Sequence, residues 1–483
     1  MIVFNEIKKR RVLIRMRIMD LFSIAKEYLL VGIIAVAVFA IVIAIGYFWV
    51  YKKILHGKKT IKKNNAIWLI IFGIYLVVVL LATMLDRSYF IDYGKRIIPL
   101  FYSYKSAWNT FSAIEWRNII LNICMFVPFG FLLPLGVEKA RKWWVTYACG
   151  FSFTVIIESV QLITGRGVAE CDDVLNNFIG CMIGYGFYTL VIYIYECLKG
   201  KMHNLKNVIL SFIPLIGTAI IFGAIFATYN MQEFGNLQIK YIIKANVSNV
   251  STDEKLSDEK LNYPVYAVEG MDKKETKEFA DKFLKNLGDK LDDSLTDLYD
   301  DTAIYRGEGG NVSVNYIDGT YSFVDFDDEE EDGISKTDSN VTEEYIEKRL
   351  NEYGVYIPSG CTFENKGDGV YSFNADKIIE GDTMYNGTIE VTCYEGNVIG
   401  NIDYNVIKCS KLKDVECISF KEAYNLIKEG KFKFYSNEKL DIRVKKINVN
   451  YITDTKGYYQ PEYACGVDIN GEETKIDIPA MEK

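Results

Sequence analysis

The stretch NIILNICMFVPFGFLLPLG, residues 118–136, runs for nineteen residues without a charge. As a helix it is about 30 Å long, the thickness of a bilayer's hydrocarbon core. Runs of the same character lie at roughly 28–50, 66–85, 143–163, 174–197 and 207–229, so six membrane helices are expected. Residues 28–50 hold no charge and no convincing cleavage site follows them. That run is expected to be a retained span, not a removed signal peptide.

Charge divides the 483 residues into two materials. Residues 1–229 hold 25 Lys and Arg against 12 Asp and Glu, whereas residues 230–483 hold 30 against 51. The expected fold is an α-helical integral membrane bundle of about six spans. An α+β extracytoplasmic domain of two or three helix-on-antiparallel-sheet units follows it. The expected boundaries are a basic N-terminal segment 1–27, a transmembrane domain 28–229 and an acidic domain 230–483. A purely soluble enzyme is excluded, and an acidic tail without a basic patch makes no case for nucleic acid as a partner.

Chemistry is narrowed as well. The only histidines, His56 and His203, lie in Lys-rich loops, so a Ser-His-Asp site or a His-ligated metal lacks raw material. No C-x-x-C pair, P-loop or strand-following G-x-G-x-x-G occurs, and no cofactor or metal is expected.

The loops set the orientation. Loop 51–65 carries six lysines, and loops 137–142 and 198–206 carry three basic residues each; the alternate loops 86–117 and 164–173 carry five and one. By the positive-inside rule the Lys-rich set is cytoplasmic, which places the tail outside the cell membrane. Residues 1–26 oppose this with seven basic residues. Either translation starts at Met16 or Met19, the preferred reading, or the first run does not cross as drawn.

Polar groups inside spans are costly and each needs a reason. Asn122 lies in the third run. Glu158 and Gln161 share one face near the end of the fourth. Arg166, Glu170, Asp172 and Asp173 fill the turn, and Asn177 opens the fifth. Successive spans run in opposite directions, so these eight residues are expected at one membrane face. The blander alternatives are an N-cap of the fifth helix for Asp172 or Asp173, a headgroup-level anchor for Arg166, and close helix packing for Gly180 and Gly184.

These positions also carry a resemblance. Asn122-x3-Phe126-x-Pro128-x-Gly130-x3-Pro134 resembles the first signature of the VanZ-like family of bacterial membrane proteins. Glu158-x2-Gln161-x2-Thr164-Gly165-Arg166-Gly167-x2-Glu170-x-Asp172-Asp173-x3-Asn177-x2-Gly180-x3-Gly184 is similar to its second. Ile98-Pro99-Leu100-Phe101 looks like its short proline-containing segment. The resemblance covers roughly residues 60–197 and implies an integral envelope protein of Gram-positive-type bacteria. Named members give low-level teicoplanin resistance without altering the peptidoglycan precursor. The long tail departs from the minimal family.

In the tail, Phe279, Phe283, Leu284 and Leu287 make one helical stripe. Tyr345, Ile346, Leu350 and Tyr353 make a second, and Phe420, Ala423, Tyr424 and Ile427 a third. Residues 387–393 and 446–451 alternate as half-buried strands do. The last stretch, from Ile418 through Tyr459 to Pro479, more weakly resembles PepSY-like and YycI-type regulatory domains, which bind other envelope proteins. The acidic run 325–333 lacks the EF-hand spacing and reads as a solvated hairpin tip. Cys361, Cys393, Cys409, Cys417 and Cys465 allow one or two disulfides outside the cell.

Three functions fit. In the first, the polar cluster binds a lipid-linked precursor or glycopeptide headgroup and the tail reaches an envelope protein. In the second, Glu158 is the general base of an intramembrane enzyme, with Asp172 and Asp173 holding a cation. In the third, the tail senses and the spans relay. The first is preferred.

Overall fold

Apolar length organises the first half of the chain. The computed structural model describes residues 63–84, 97–165, 168–200, 205–326, 341–396, 398–434 and 438–481. The expected span 28–50, the basic segment 1–26, Arg166 and most of the acidic run 325–333 lie outside the described residues. The chain divides into two units, one ending at Gln238 and one beginning at Ile239.

In the first unit five stretches are long and apolar enough to cross a membrane: Asn65–Thr83, Ala113–Gly136, Trp143–Thr164, Cys171–Leu198 and Leu205–Met231. They fall in α1 (Lys63–Met84), α3 (Ala113–Gly136), α4 (Trp143–Thr164), α5 (Cys171–Leu198) and the pair α6 (Leu205–Ser211) and α7 (Ile213–Met231). The last run was expected to be continuous. It breaks at Phe212 because Pro214, in the first turn of α7, brings no N–H to an unbroken helix. α3 begins at Ala113, five residues ahead of the expected 118, because Glu115 and Arg117 extend the helix beyond its apolar run.

Close packing of α3 on α5 depends on glycine. A β-carbon added at Gly180 would lie 1.9 Å from the Ile123 carbonyl oxygen, and one at Gly184 2.0 Å from that of Val127. From the other helix, one at Gly130 would lie 1.9 Å from the Cys181 carbonyl oxygen. Those three glycines let two backbones touch. Around the bundle, Ile156, Ile163, Ile213 and Ile220 are exposed, as befits side chains with lipid for a solvent.

Before α3 the chain makes a two-residue strand, β1 (Ile97–Ile98), and a short helix, α2 (Tyr102–Thr110). Between α4 and α5 it makes β2 (Ala169–Glu170), which pairs in parallel with β1 through Ile97–Ala169 and Ile98–Glu170.

The second unit is built on one fourteen-stranded sheet with three helices, α8 (Lys273–Asn286), α9 (Glu343–Tyr353) and α10 (Phe420–Lys428). All three expected stripes are helical. Phe283, Leu284, Ile346 and Leu350 are buried in one hydrophobic cluster with Val312, Phe323, Tyr371 and Ile389. Ala423 and Ile427 join a second cluster with Ile442, Val467 and Ile478. Asp272 caps α8 and Ser419 caps α10, each in a capping box closed by Glu275 and Glu422. The alternating stretches fall in β11 (Thr383–Tyr394) and β14 (Leu440–Thr453). The sheet is not wholly antiparallel: β14 pairs in parallel with β3 (Val247–Thr252). All ten cysteines are free thiols, so the disulfides allowed by the sequence are not formed.

Candidate functional site

The polar residues of the first unit form linked hydrogen-bonded groups around the α4–α5 turn. Glu158, on the last full turns of α4, is 7% exposed, and its Oε2 accepts from the Glu170 N–H at 3.0 Å. The Glu170 carboxylate in turn accepts from the Ser103 hydroxyl at 2.9 Å. A buried carboxylate in apolar surroundings is tolerable only when supplied with donors, and these bonds supply them.

Asp172 is fully buried and has a different task from the expected cap on α5. Its two oxygens accept from the N–H groups of Phe101 at 2.6 Å and Ser103 at 2.8 Å. Those are orphan donors at the start of α2, so Asp172 caps a helix about seventy residues earlier in the chain. Asp173 instead accepts from the Asn122 amide at 2.5 Å, joining α5 to α3. One residue type at adjacent positions thus closes two different junctions.

Two amides bond to other helices. Gln161 is 2% exposed and donates Nε2 to the Thr83 carbonyl oxygen at 2.9 Å, at the end of α1. Asn177 places Nδ2 against Thr154 Oγ1 at 3.0 Å. The Gln161 Oε1 and Asn177 Oδ1 are buried and receive no hydrogen bond among the described residues. Leaving a buried acceptor unsatisfied costs about 1–3 kcal/mol.

Two contributors escaped the sequence reading. Ser103 bonds Glu170, and Tyr104 gives its hydroxyl to Asn176 Oδ1. Both follow Ile98-Pro99-Leu100-Phe101 directly, which was the available signal. Among the described residues no group of three or more His, Cys, Asp or Glu is placed to hold a metal ion. Both Asp172 oxygens hold the start of α2, so that carboxylate positions the segment.

The family model of VanZ/LLP1 matches residues 34–192. No curated protein matches the chain. Among solved structures, it is similar to an uncharacterized protein from Eubacterium rectale at 11% identity and TM-score 0.24, covering 50% of this chain and 91% of that one. It is also similar to the C-terminal domain of Bacillus megaterium YpeB at 10% identity and TM-score 0.19, covering 44% and 94%. At those scores neither likeness bears on function. The matched residues take in all three signature segments, and over them the chain is similar to the VanZ/LLP1 family.

Proposed function

We propose that the protein is a bacterial envelope protein whose polar cluster binds the headgroup of a lipid-linked precursor or a glycopeptide, contributing to teicoplanin resistance or to envelope homeostasis. In this reading residues 28–50 make a sixth span, and the cluster and the acidic tail face outward. The tail, read as two helix-on-sheet units closed by α8 with α9 and by α10, reaches another envelope protein. The observation that carries the reading is the set of polar side chains around the α4–α5 turn: Asn122, Glu158, Gln161, Asp172, Asp173 and Asn177 in otherwise apolar helices, and Glu170 in β2 between them. Carboxylates and amides inside membrane helices are costly, and those that do occur mark functional sites more often than packing. Arg166, in the same turn, is assigned to the ligand on charge alone.

The test is teicoplanin and vancomycin susceptibility of a sensitive Gram-positive host expressing the full chain, Glu158→Gln, Arg166→Ala, or a chain ending at Tyr229, each checked for membrane expression. Selective teicoplanin protection that needs Glu158 and Arg166 but survives truncation is the expected result. No protection from a well-expressed full chain sinks the resistance role.

A further inference from the structure

The nine residues of α2 are too few to cross a membrane, yet the chain that leads into it has an apolar tip. Of Ile97-Ile98-Pro99-Leu100-Phe101 all but Ile98 are exposed: Ile97 at 64%, Leu100 at 47% and Phe101 at 52%, with Pro99 among them. The neighbours of this tip fix its depth. β2 lies in the turn between the end of α4 at Thr164 and the start of α5 at Cys171, where two spans leave the hydrocarbon. β1 pairs with β2 directly, and paired strands are about 4.8 Å apart. Asp172, in the first turn of α5, accepts from the N–H groups of Phe101 at 2.6 Å and Ser103 at 2.8 Å. Residues 97–103 therefore run at the level of the span ends. At that level the last turn of α4 still carries Ile163, 74% exposed among the lipid-facing side chains. The tip continues the lipid-facing surface at its edge.

The backbone on both sides of α2 makes the contrast sharper. Phe101 and Phe111 flank the helix in the left-handed region, at φ 68° and 43°, which a bulky residue seldom adopts. Phe111 turns into the protein, where its ring stacks on Tyr229 and meets Trp116 and Phe226. Phe101 has Tyr104 as a ring neighbour and is otherwise half-exposed. We propose that residues 97–101 are an interfacial anchor: Ile97, Leu100 and Phe101 enter the acyl boundary of the leaflet at the α4–α5 turn. The partner is the lipid surface itself, and the inference holds whether or not the polar cluster receives a headgroup. Ser103 and Tyr104 bond Glu170 and Asn176, so the anchor also sets the depth of the polar groups behind it.

The experiment places the photocrosslinker p-benzoylphenylalanine at Leu100 or Ile97 of the full chain, reconstituted in vesicles of phosphatidylglycerol and phosphatidylcholine. After irradiation the excited ketone joins a C–H carbon within reach, and intact mass spectrometry weighs the product. The same label at Ile156, exposed on α4 between its ends, gives the yield expected of a lipid-facing position. A label at Glu138, an exposed acid between α3 and α4, gives the background. The expected result is a mass shift of one phospholipid at both Leu100 and Ile97, in a yield comparable to that at Ile156 and above that at Glu138.

A product of two protein chains in place of the lipid adduct gives the tip to a second copy and overturns the anchor. Lipid adducts at Ile156 but only background at Leu100 and Ile97 leave the tip in water and overturn it as well. Each labelled chain is compared with wild type by gel filtration. Both replaced side chains are exposed, and a label that disturbs the chain at one position leaves the other to decide.

Discussion

Glu462 shows how a single residue makes the tail's stability depend on pH. It is 2% exposed on β15 (Tyr458–Ile469), where Asn450 Nδ2 donates to its Oε1 at 2.9 Å. Lys475 Nζ lies 3.7 Å from that oxygen but 2.8 Å from Asp477, so the lysine is shared. Burial holds the Glu462 carboxyl above its ordinary range, the Asp477 charge pushes the same way, and Lys475, Lys377 and the Asn450 amide oppose. A carboxyl that ionises less readily in the folded chain than in the unfolded one binds its proton more tightly when folded. Its ionisation therefore weakens the fold as pH rises through the carboxylate range, and the full penalty is present at neutral pH. Glu462→Gln keeps an acceptor for Asn450 and removes the charge. The full-length variant is expected to melt higher than wild type at pH 7.5, with the gain vanishing below about pH 4. A lower melting temperature at pH 7.5 would mean that the Lys475 pairing outweighs the burial.

Elements of the membrane unit are joined by residues far apart in sequence, and this set the limit on what could be read. Apolar length located the spans, and helical spacing placed Glu158 beside Gln161. Neither signal could find α2: it has nine residues and takes its cap from Asp172, so nothing local marks its start. Ser103 and Tyr104 were missed for the same reason, since their partners Glu170 and Asn176 come about seventy residues later. The start of α3 was placed late because Glu115 and Arg117 resemble loop residues, although a helix can project past the hydrocarbon. In the tail, alternation found strands but not their order; β4 (Asn262–Val268) lies between β13 (Ile407–Glu416) and β15, and β3 joins β14 in parallel.

Asp172 also gives the test proper to this scale. Asp172→Ala strips two N–H groups at the start of α2 of their acceptor, and the expected cost is about 2–4 kcal/mol. Asp172→Asn keeps one acceptor oxygen and is expected to cost about half as much. Thermal unfolding of the solubilised full chain measures both. Equal melting of wild type and Asp172→Ala would mean that β1, β2 and the surrounding contacts hold α2 without its cap.

For the whole molecule the open question is which side of the membrane the tail occupies, and the chain carries its own probe. Of the five tail cysteines, Cys393, Cys409, Cys417 and Cys465 are buried and only Cys361 is partly exposed. All are free thiols, so no bridge protects any of them. In the other unit Cys197 is exposed at the end of α5, next to the loop 198–206 that the lysine count makes cytoplasmic. A charged, membrane-impermeant maleimide applied to intact cells is therefore expected to modify Cys361 and spare Cys197. Partial burial holds the Cys361 thiol above its usual range, with the Glu380 and Glu347 charges adding to the effect, so less thiolate is present. Labelling is accordingly run near pH 8.5 and given longer than an exposed cysteine would need. Cys361→Ser controls for the site, and Cys171→Ser removes the partly exposed thiol at the α4–α5 turn. Permeabilised cells supply the Cys197 signal for comparison. Labelling of Cys361 only after permeabilisation would put the acidic tail in the cytoplasm. Because two spans, α5 and the α6–α7 run, separate the α4–α5 turn from the tail, an even number that returns the chain to one face, that result would carry the polar cluster inward too, and with it any role in meeting a ligand from outside.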